Sequence, residues 1–392
     1  MAWKERTVER MREEFVKRVL AQEKSKSALC REYGISRPTG DKWIQRYLGG
    51  EDMTDRSRAP KNVGGKISAD TEALIVQKRI TLPAYGAVKI KRMLENEGHT
   101  DLPCAKTFNN VFNRHGLITK EASQNATPYT RFEKSYPNEM LQGDFKGHFA
   151  LSNGERCHPL NINDDYSRFN LCTEALTSET FDAVKPVLER VFREYGLPFS
   201  FLCDNGNPWG TAQSLGYTKF EVWLMELGVL TLHGSIRHPQ TQGKLERFNR
   251  SFTRECLNGK QFKDIAEAQK CFNEYRNFYN EVRPHCALDM EVPASKYEPS
   301  KIKMPDKIDD WEYGNEYQLC KVKDTGYFNY RGQAFFLSEA FAGKTIAVRN
   351  SHLPRQITVV FRKFRIARID MDKRVYTLKK AYLLQNDPRQ NV

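Results

Sequence analysis

Apolar positions set the first elements. Val8, Met11, Phe15, Val16, Val19 and Leu20 recur at helical spacing, which predicts a helix over 8–20. In SKSALCREYGISRPTGDKWIQRYL, residues 25–48, Ala28 and Leu29 mark a short helix, Gly34 a turn and Ile35 a buried turn residue. Ser36 is placed to cap a further helix, with Pro38 in its first turn and Trp43, Ile44 and Tyr47 on its inner face. Residues 51–66 lose all periodicity and read as a basic linker. A second helical set comes near 69–81, 85–97 (Val88, Ile90, Met93, Leu94) and 104–114, the last packing Phe108, Val111 and Phe112 and stopping at Gly116.

From Met140 the period shortens. Residues 140–149, 157–163 and 168–175 read as strands and 179–195 as an amphipathic helix. A buried strand over 198–203, a helix over 217–227 and a short strand over 229–232 come next. Two more helices succeed them, one in HPQTQGKLERFNRSF and one near 262–280. Three antiparallel strands and then alternating helices and strands is the ribonuclease H-like order. Beyond a Pro- and charge-bearing linker, residues 317–371 alternate in short strands, which predicts a small SH3-like β-barrel. The reading is a multidomain chain. All-α helix-turn-helix modules span 1–50 and 67–120, joined by the 51–66 linker. The α/β core spans 136–285, a linker 286–316, the barrel 317–371 and a basic, poorly ordered tail 372–392.

Composition adds the partner class. The 392 residues are 39% hydrophobic and 28% charged, with a mean hydropathy of −0.68 and no run long enough to span a membrane. The charged N-terminus lacks a signal-peptide apolar region, so a cytoplasmic, nucleoid-associated location is expected. Nine cysteines, none two residues apart, give neither a zinc-finger spacing nor a disulfide framework. The net charge of +13 divides as +4 over residues 1–60, +5 over 61–120, −4 over 121–300 and +8 over 301–392. Basic flanks suit a phosphate backbone, and an acidic centre suits one only where cations bridge it. The helix-turn-helix pattern places its second helix in the major groove, so Arg37, Thr39, Lys42 and Arg46 are expected to face DNA, with Lys106 in the second module.

Three carboxylates occupy special places on the core. Asp144 lies in the first strand beside Gly143, Asp204 ends the fourth and opens the DNG turn, and Glu246 rides the helix after HPQTQG. On that helix Leu245, Phe248 and Phe252 form the buried stripe, leaving Glu246 and Arg250 on the open side beside Lys244 and Arg247. Three such carboxylates can hold two hard cations for phosphodiester displacement. The bland alternative is an exposed Glu246–Arg250 ion pair four residues apart. Asp164 and Asp165 are rival ligands, expected instead to form a turn before a strand.

QGDFKGHF, INDDYSRF, CDNGNPW, HPQTQGKLERFNRSF and YNEVRPHCALDMEVP together resemble the DDE transposases of bacterial insertion sequences, whose core is of the retroviral-integrase type. The resemblance spans nearly the whole chain. It implies that Asp144, Asp204 and Glu246 are catalytic and metal-binding, with two Mg²⁺ ions for which Mn²⁺ can substitute. It also implies that transposon-end DNA and target DNA are the partners, Lys244, Arg247 and Arg250 meet the strand, and the protein self-associates on DNA. Asp204 and Glu246 are 42 residues apart, more than is usual among integrases, and NPWGTAQSLGYTKF reads as the surplus. No zinc module of the retroviral kind is present in the sequence. A regulator with an inert core and a non-specific nuclease are the rival readings. Against the nuclease stand the tandem recognition modules, and against the regulator the intact carboxylate set.

Overall fold

The computed structural model describes residues 8–56, 67–118, 134–210, 216–234, 243–351, 353 and 355–372, and the backbone of 376–377 and 382–383. The chain divides into two compact units, residues 1–67 and 68–392. No helix among the described residues is long and apolar enough to cross a membrane.

The first unit is three helices, α1 (Val8–Leu20), α2 (Lys26–Glu32) and α3 (Arg37–Leu48). Gly34 takes φ +66 in the turn, the left-handed region that glycine enters without steric cost. Ser36 then caps α3 by accepting from the Thr39 N–H. Phe15, Val16, Leu29, Cys30, Trp43 and Met53 form the core. Trp43 is clasped by two guanidiniums, Arg12 at 3.9 Å and Arg46 at 5.0 Å from the ring.

The second unit opens with α4 (Ala69–Thr81), α5 (Ala87–Asn96) and α6 (Ala105–Arg114), closed over Ile75, Ile90, Met93, Leu94, Phe108, Val111 and Phe112. Val88, expected on the inner face of α5, is exposed instead. This bundle is tied to more distant parts of the same unit. The Tyr85 hydroxyl donates to Glu255 Oε2 at 2.7 Å, and Arg92 pairs with Glu291 at 2.9 Å.

The core sheet comprises β1 (Met140–Phe145), β2 (Phe149–Ala150), β3 (Arg156–Asp164), β4 (Asn170–Leu176), β5 (Ser200–Cys203) and β6 (Leu230–His233). β1 is central, antiparallel to β3 and parallel to β5; β5 is parallel to β6, and β3 pairs antiparallel with β4. This is the ribonuclease H-like order the sequence predicts. The strand expected to run through 149 breaks after Phe145. Helix α7 (Phe181–Tyr195) and α8 (Lys219–Glu226) share one core cluster with the sheet, centred on Leu141, Phe192, Phe201, Trp209 and Trp223. A second cluster joins α9 (Gly243–Phe252) and α10 (Ile265–Glu281) through Phe248, Phe252, Phe272 and Tyr279. A π-helical turn, Thr253–Leu257, continues α9. Gly143 lies under Phe201, whose ring is 2.3 Å from where a Cβ would sit, so any side chain there clashes.

The C-terminal domain departs from expectation. Strands β7 (Gln318–Lys321), β10 (Thr345–Asn350), β11 (Gln356–Phe361), β12 (Phe364–Asp370) and β13 (Tyr376–Thr377) form an open sheet in the order β13-β12-β11-β10-β7. β8 (Tyr327–Tyr330) and β9 (Gln333–Phe336) pair as a separate hairpin, so no closed barrel forms among the described residues. β14 (Tyr382–Leu383) also pairs with β12, so part of the expected tail extends the sheet. The domain does not stand apart either. Val222 and Met225 of α8 are buried in the same cluster as Val348, Val359 and Phe361. The Tyr217 hydroxyl donates to the Ile366 carbonyl at 2.7 Å, and Ser338 Oγ donates to the Tyr217 carbonyl at 2.8 Å. Tyr217, near the end of the surplus before α8, is thus part of the seat of the C-terminal sheet. The 286–316 linker is likewise docked, with Tyr297 stacked on Phe169 at 4.4 Å and bonded to Asn138.

Two stability outcomes are expected. Gly143→Ala should lower the midpoint of denaturant unfolding by the equivalent of about 1–3 kcal/mol, the usual cost of overpacking. A chain ending at residue 316 should melt well below the full chain in calorimetry, because Val222 and Met225 become exposed. Equal melting temperatures would contradict a shared core.

Candidate active site

The first carboxylate is set by strand register. Asp144 sits opposite Asn161 of β3, half-buried on β1. Its Oδ2 accepts from Asn249 Nδ2 of α9 at 3.0 Å, and Asn249 Oδ1 accepts from the buried Asn161 at 2.7 Å. Asp204 directly succeeds β5, the parallel neighbour of β1, and its Oδ1 accepts from the Gly206 N–H at 2.9 Å. The turn is held from outside: Asn205 Nδ2 donates to the Gly234 carbonyl and Asn207 Nδ2 to the Glu179 carbonyl, both at 3.0 Å. His233 bridges the Asp204 carbonyl at 2.8 Å and the Glu221 carboxylate at 2.9 Å, and Glu221 also forms the capping box of α8. A single imidazole thus ties the strand end to the next helix.

The two aspartates feel each other. Burial, then the charge of Asp204, pushes the Asp144 carboxyl up to about 7, with Glu179 adding a smaller push and the Asn249 bond opposing it. Glu179 is itself bonded to His158 Nδ1 at 2.8 Å. Two neighbouring carboxylates of this kind, hard oxygen donors, have the chemistry of a divalent-cation seat. Asp144 and Asp204 fit such an ion.

Glu246 is on the exposed side of α9, one turn before Asn249. Among the described residues no three His, Cys, Asp or Glu side chains converge as a metal set, so the structure brings together Asp144 and Asp204 but not Glu246 with them. Among those residues Glu246 makes no ion pair with Arg250. Of HPQTQG before the helix, only Gly243 is within the described residues.

The rival carboxylates are fully engaged elsewhere. Asp164 accepts from the Asn138 N–H and from the N–H and hydroxyl of Ser167, all at 2.7 Å. Asp165 accepts from Gln142 at 2.6 Å and pairs with Lys244 at 2.5 Å. Lys244, expected on the strand, is thereby a counter-ion that pins the start of α9 to the sheet. Arg46 also turns inward: it packs on Trp43 and donates to the Thr54 carbonyl at 2.9 Å. Thr39 spends its hydroxyl on Ser36 at 2.8 Å. Arg37, Lys42, Lys106, Arg247 and Arg250 are exposed. In the C-terminal sheet Arg362 donates to the Asp309 carbonyl and Arg355 pairs with Asp372, so these two charges are partly spent.

Sequence reasoning missed Asn249, Glu179, Glu221 and His233. Asn249 was within reach, since it is a polar residue four positions after Leu245 and three before Phe252, on the buried stripe of α9. The partners of Glu221 and His233 depend on folding and leave no spacing signal.

Known proteins agree with this architecture. Residues 134–239 and 227–293 match models of the integrase core domain, 11–61 a helix-turn-helix domain, and 317–377 the IS481 family transposase C-terminal domain. The chain thus carries an integrase core between a helix-turn-helix module and a transposase C-terminal domain, which bears out the resemblance read from its motifs. An insertion element IS407 protein of Burkholderia multivorans is 32% identical over 160 residues, 40% of this chain and 54% of that protein. A putative transposase for IS5376 of Geobacillus stearothermophilus is 24% identical over 89% of this chain and 84% of that one. The chain spans about half the length of the first of these relatives. Among solved structures, the HTLV-2 integrase catalytic core domain in complex with magnesium aligns at 15% identity and a TM-score of 0.30, covering 41% of this chain and 97% of that one.

The raised Asp144 carboxyl has a measurable sign. Its folded pKa, about 7, lies above its ordinary value of 3.8, so the fold binds the extra proton and loses that stability as pH rises from about 4 to 7. Asp144→Asn should therefore raise the melting temperature of metal-free protein at pH 8 and not at pH 4. Added Mg²⁺ should stabilise the wild type at pH 8 and leave the variant unmoved.

Proposed function

We propose that the protein is a transposase that binds the terminal inverted repeats of its element and catalyses metal-dependent strand cleavage and strand transfer. The observation that carries this reading is the Asp144–Asp204 pair, one on β1 and the other just after its parallel neighbour β5, in an integrase core domain. Asp144 and Asp204 would hold the ion, with Glu246 completing the set from α9 once DNA is bound. Mg²⁺ held there would supply Lewis-acid stabilisation of the oxygens in an in-line displacement at phosphorus. The chain's own residues do the positioning. Asn249 fixes α9 against Asp144, Lys244 and Asp165 fix its first turn, and His233 holds the Asp204 turn. Arg247 and Arg250, exposed on the same helix as Glu246, would meet the backbone of the strand being cut. The exposed Arg37 and Lys42 would contact the element's end through α3.

Purified full chain, labelled element ends and Mg²⁺ or Mn²⁺ test this directly. Asp144→Asn, Asp204→Asn and Glu246→Gln should each reduce cleavage and joining on the order of 10²-fold or more while leaving end binding intact. Mg²⁺-dependent joining by any of the three at the wild-type rate would remove that residue from the catalytic set. An inactive wild type that still discriminates ends would favour the regulator.

A further inference from the structure

Helix α6 is the least explained part of the second unit. In ten residues, AKTFNNVFNR, it buries Phe108, Val111 and Phe112 and exposes Lys106, Asn109, Asn110 and Asn113. Positions 106, 109, 110 and 113 are spaced i, i+3, i+4 and i+7, so they form one stripe. Asparagine is a poorer helix former than the Lys, Glu or Arg usual on a solvated face. The side chains of the three asparagines bond no other described residue, whereas neighbouring Arg114 is paired with Glu72 at 2.6 Å. No acidic residue lies on the helix. The family models matched by the chain leave residues 68–118 uncovered.

We infer that α6 is a second reading helix whose Asn109, Asn110 and Asn113 recognise adenines in the major groove, with Lys106 on a phosphate. An asparagine amide offers a donor and an acceptor side by side, which matches adenine N7 and N6 and no other base edge as well. Helix α3, by contrast, exposes Arg37 and Lys42, donors suited to guanine and phosphate.

The bundle that carries α6 is fixed to the catalytic core. Glu255, in the π-turn that continues α9, accepts from Tyr85 at 2.7 Å and from both Arg283 Nε at 2.9 Å and Nη2 at 2.8 Å. Arg283 also lies over the Tyr85 ring at 5.4 Å, and both residues are almost fully buried. This gives the RPH portion of YNEVRPHCALDMEVP a role: its arginine closes the joint between reading bundle and catalytic helix. Bases read by α6 therefore lie at a constant offset from the scissile bond.

This inference rests on the transposase reading, and one experiment separates the two. Duplexes selected from a random pool by the full chain are rebuilt with 7-deazaadenine, which lacks the N7 acceptor, at each adenine in turn. Wild-type protein should lose affinity on the order of tenfold at adenines within one short tract. Asn109→Ala/Asn113→Ala and Asn110→Ala should abolish the sensitivity within that tract alone; these residues are exposed, and an unchanged melting temperature confirms folding. Insertions between the tract and the cut should move the cut with the tract. A chain that selects no sequence overturns both readings. One that selects and cuts, but shows a flat adenine scan or the same scan after the asparagine changes, overturns this inference alone.

Discussion

Two carboxylates that repel each other must be held at the end of one sheet, and much of the core serves that constraint. Asp144 lies on β1 and Asp204 directly follows its parallel neighbour β5, and burial together with the charge of Asp204 raises the energy of the ionised Asp144. Left to itself Asp144 would turn away or protonate. Here a frame of neutral or compensated contacts restrains it: an asparagine chain from Asn161 through Asn249 to Asp144, an imidazole on the Asp204 carbonyl, and a Lys244–Asp165 pair at the head of α9. The frame uses amides and backbone groups next to the carboxylates and keeps full positive charge one step away. A cation placed between the aspartates would thus meet little competition from within the protein.

Much of this was legible in the chain. Period-2 stretches and buried strands give the sheet order, the DNG turn gives the strand end, and the Leu245–Phe248–Phe252 stripe leaves Glu246 outward. The helix boundaries of both bundles are set by Ser36, Ser68 and the positive-φ glycines Gly34 and Gly116, which act within a few residues. What the sequence concealed is long-range pairing. Lys244 and Arg46 look like DNA contacts because each is a cation on an amphipathic helix, but each finds its acceptor through the fold, at Asp165 and at the Thr54 carbonyl. The barrel expectation failed for a similar reason. Strand alternation reports one buried face, and here part of that face is covered by α8 rather than by closure of the sheet.

The same contrast separates the two helical modules. Both read alike in sequence as helices around a turn. The first is a compact unit by itself, with Trp43 at its centre. The second has no such independence, because its Tyr85 is buried against a charged pair on the core, Glu255 and Arg283. A buried ion pair of this kind tolerates little loss of geometry once formed, since either partner alone would be stranded away from water. It makes the second bundle a part of the same body as the integrase core.

The core shared between α8 and the C-terminal sheet has a consequence for inheritance. Genes of mobile elements recombine, and a crossover in the stretch encoding 286–316 would look harmless from the domain order. It would nonetheless join Val222 and Met225 of one lineage to the Val348, Val359 and Phe361 surface of another, and Tyr217 to a foreign Ile366 carbonyl. Viable mosaics should therefore exchange residues 217–226 together with the C-terminal sheet, although more than ninety residues separate them in the sequence. The two segments are expected to evolve as one unit.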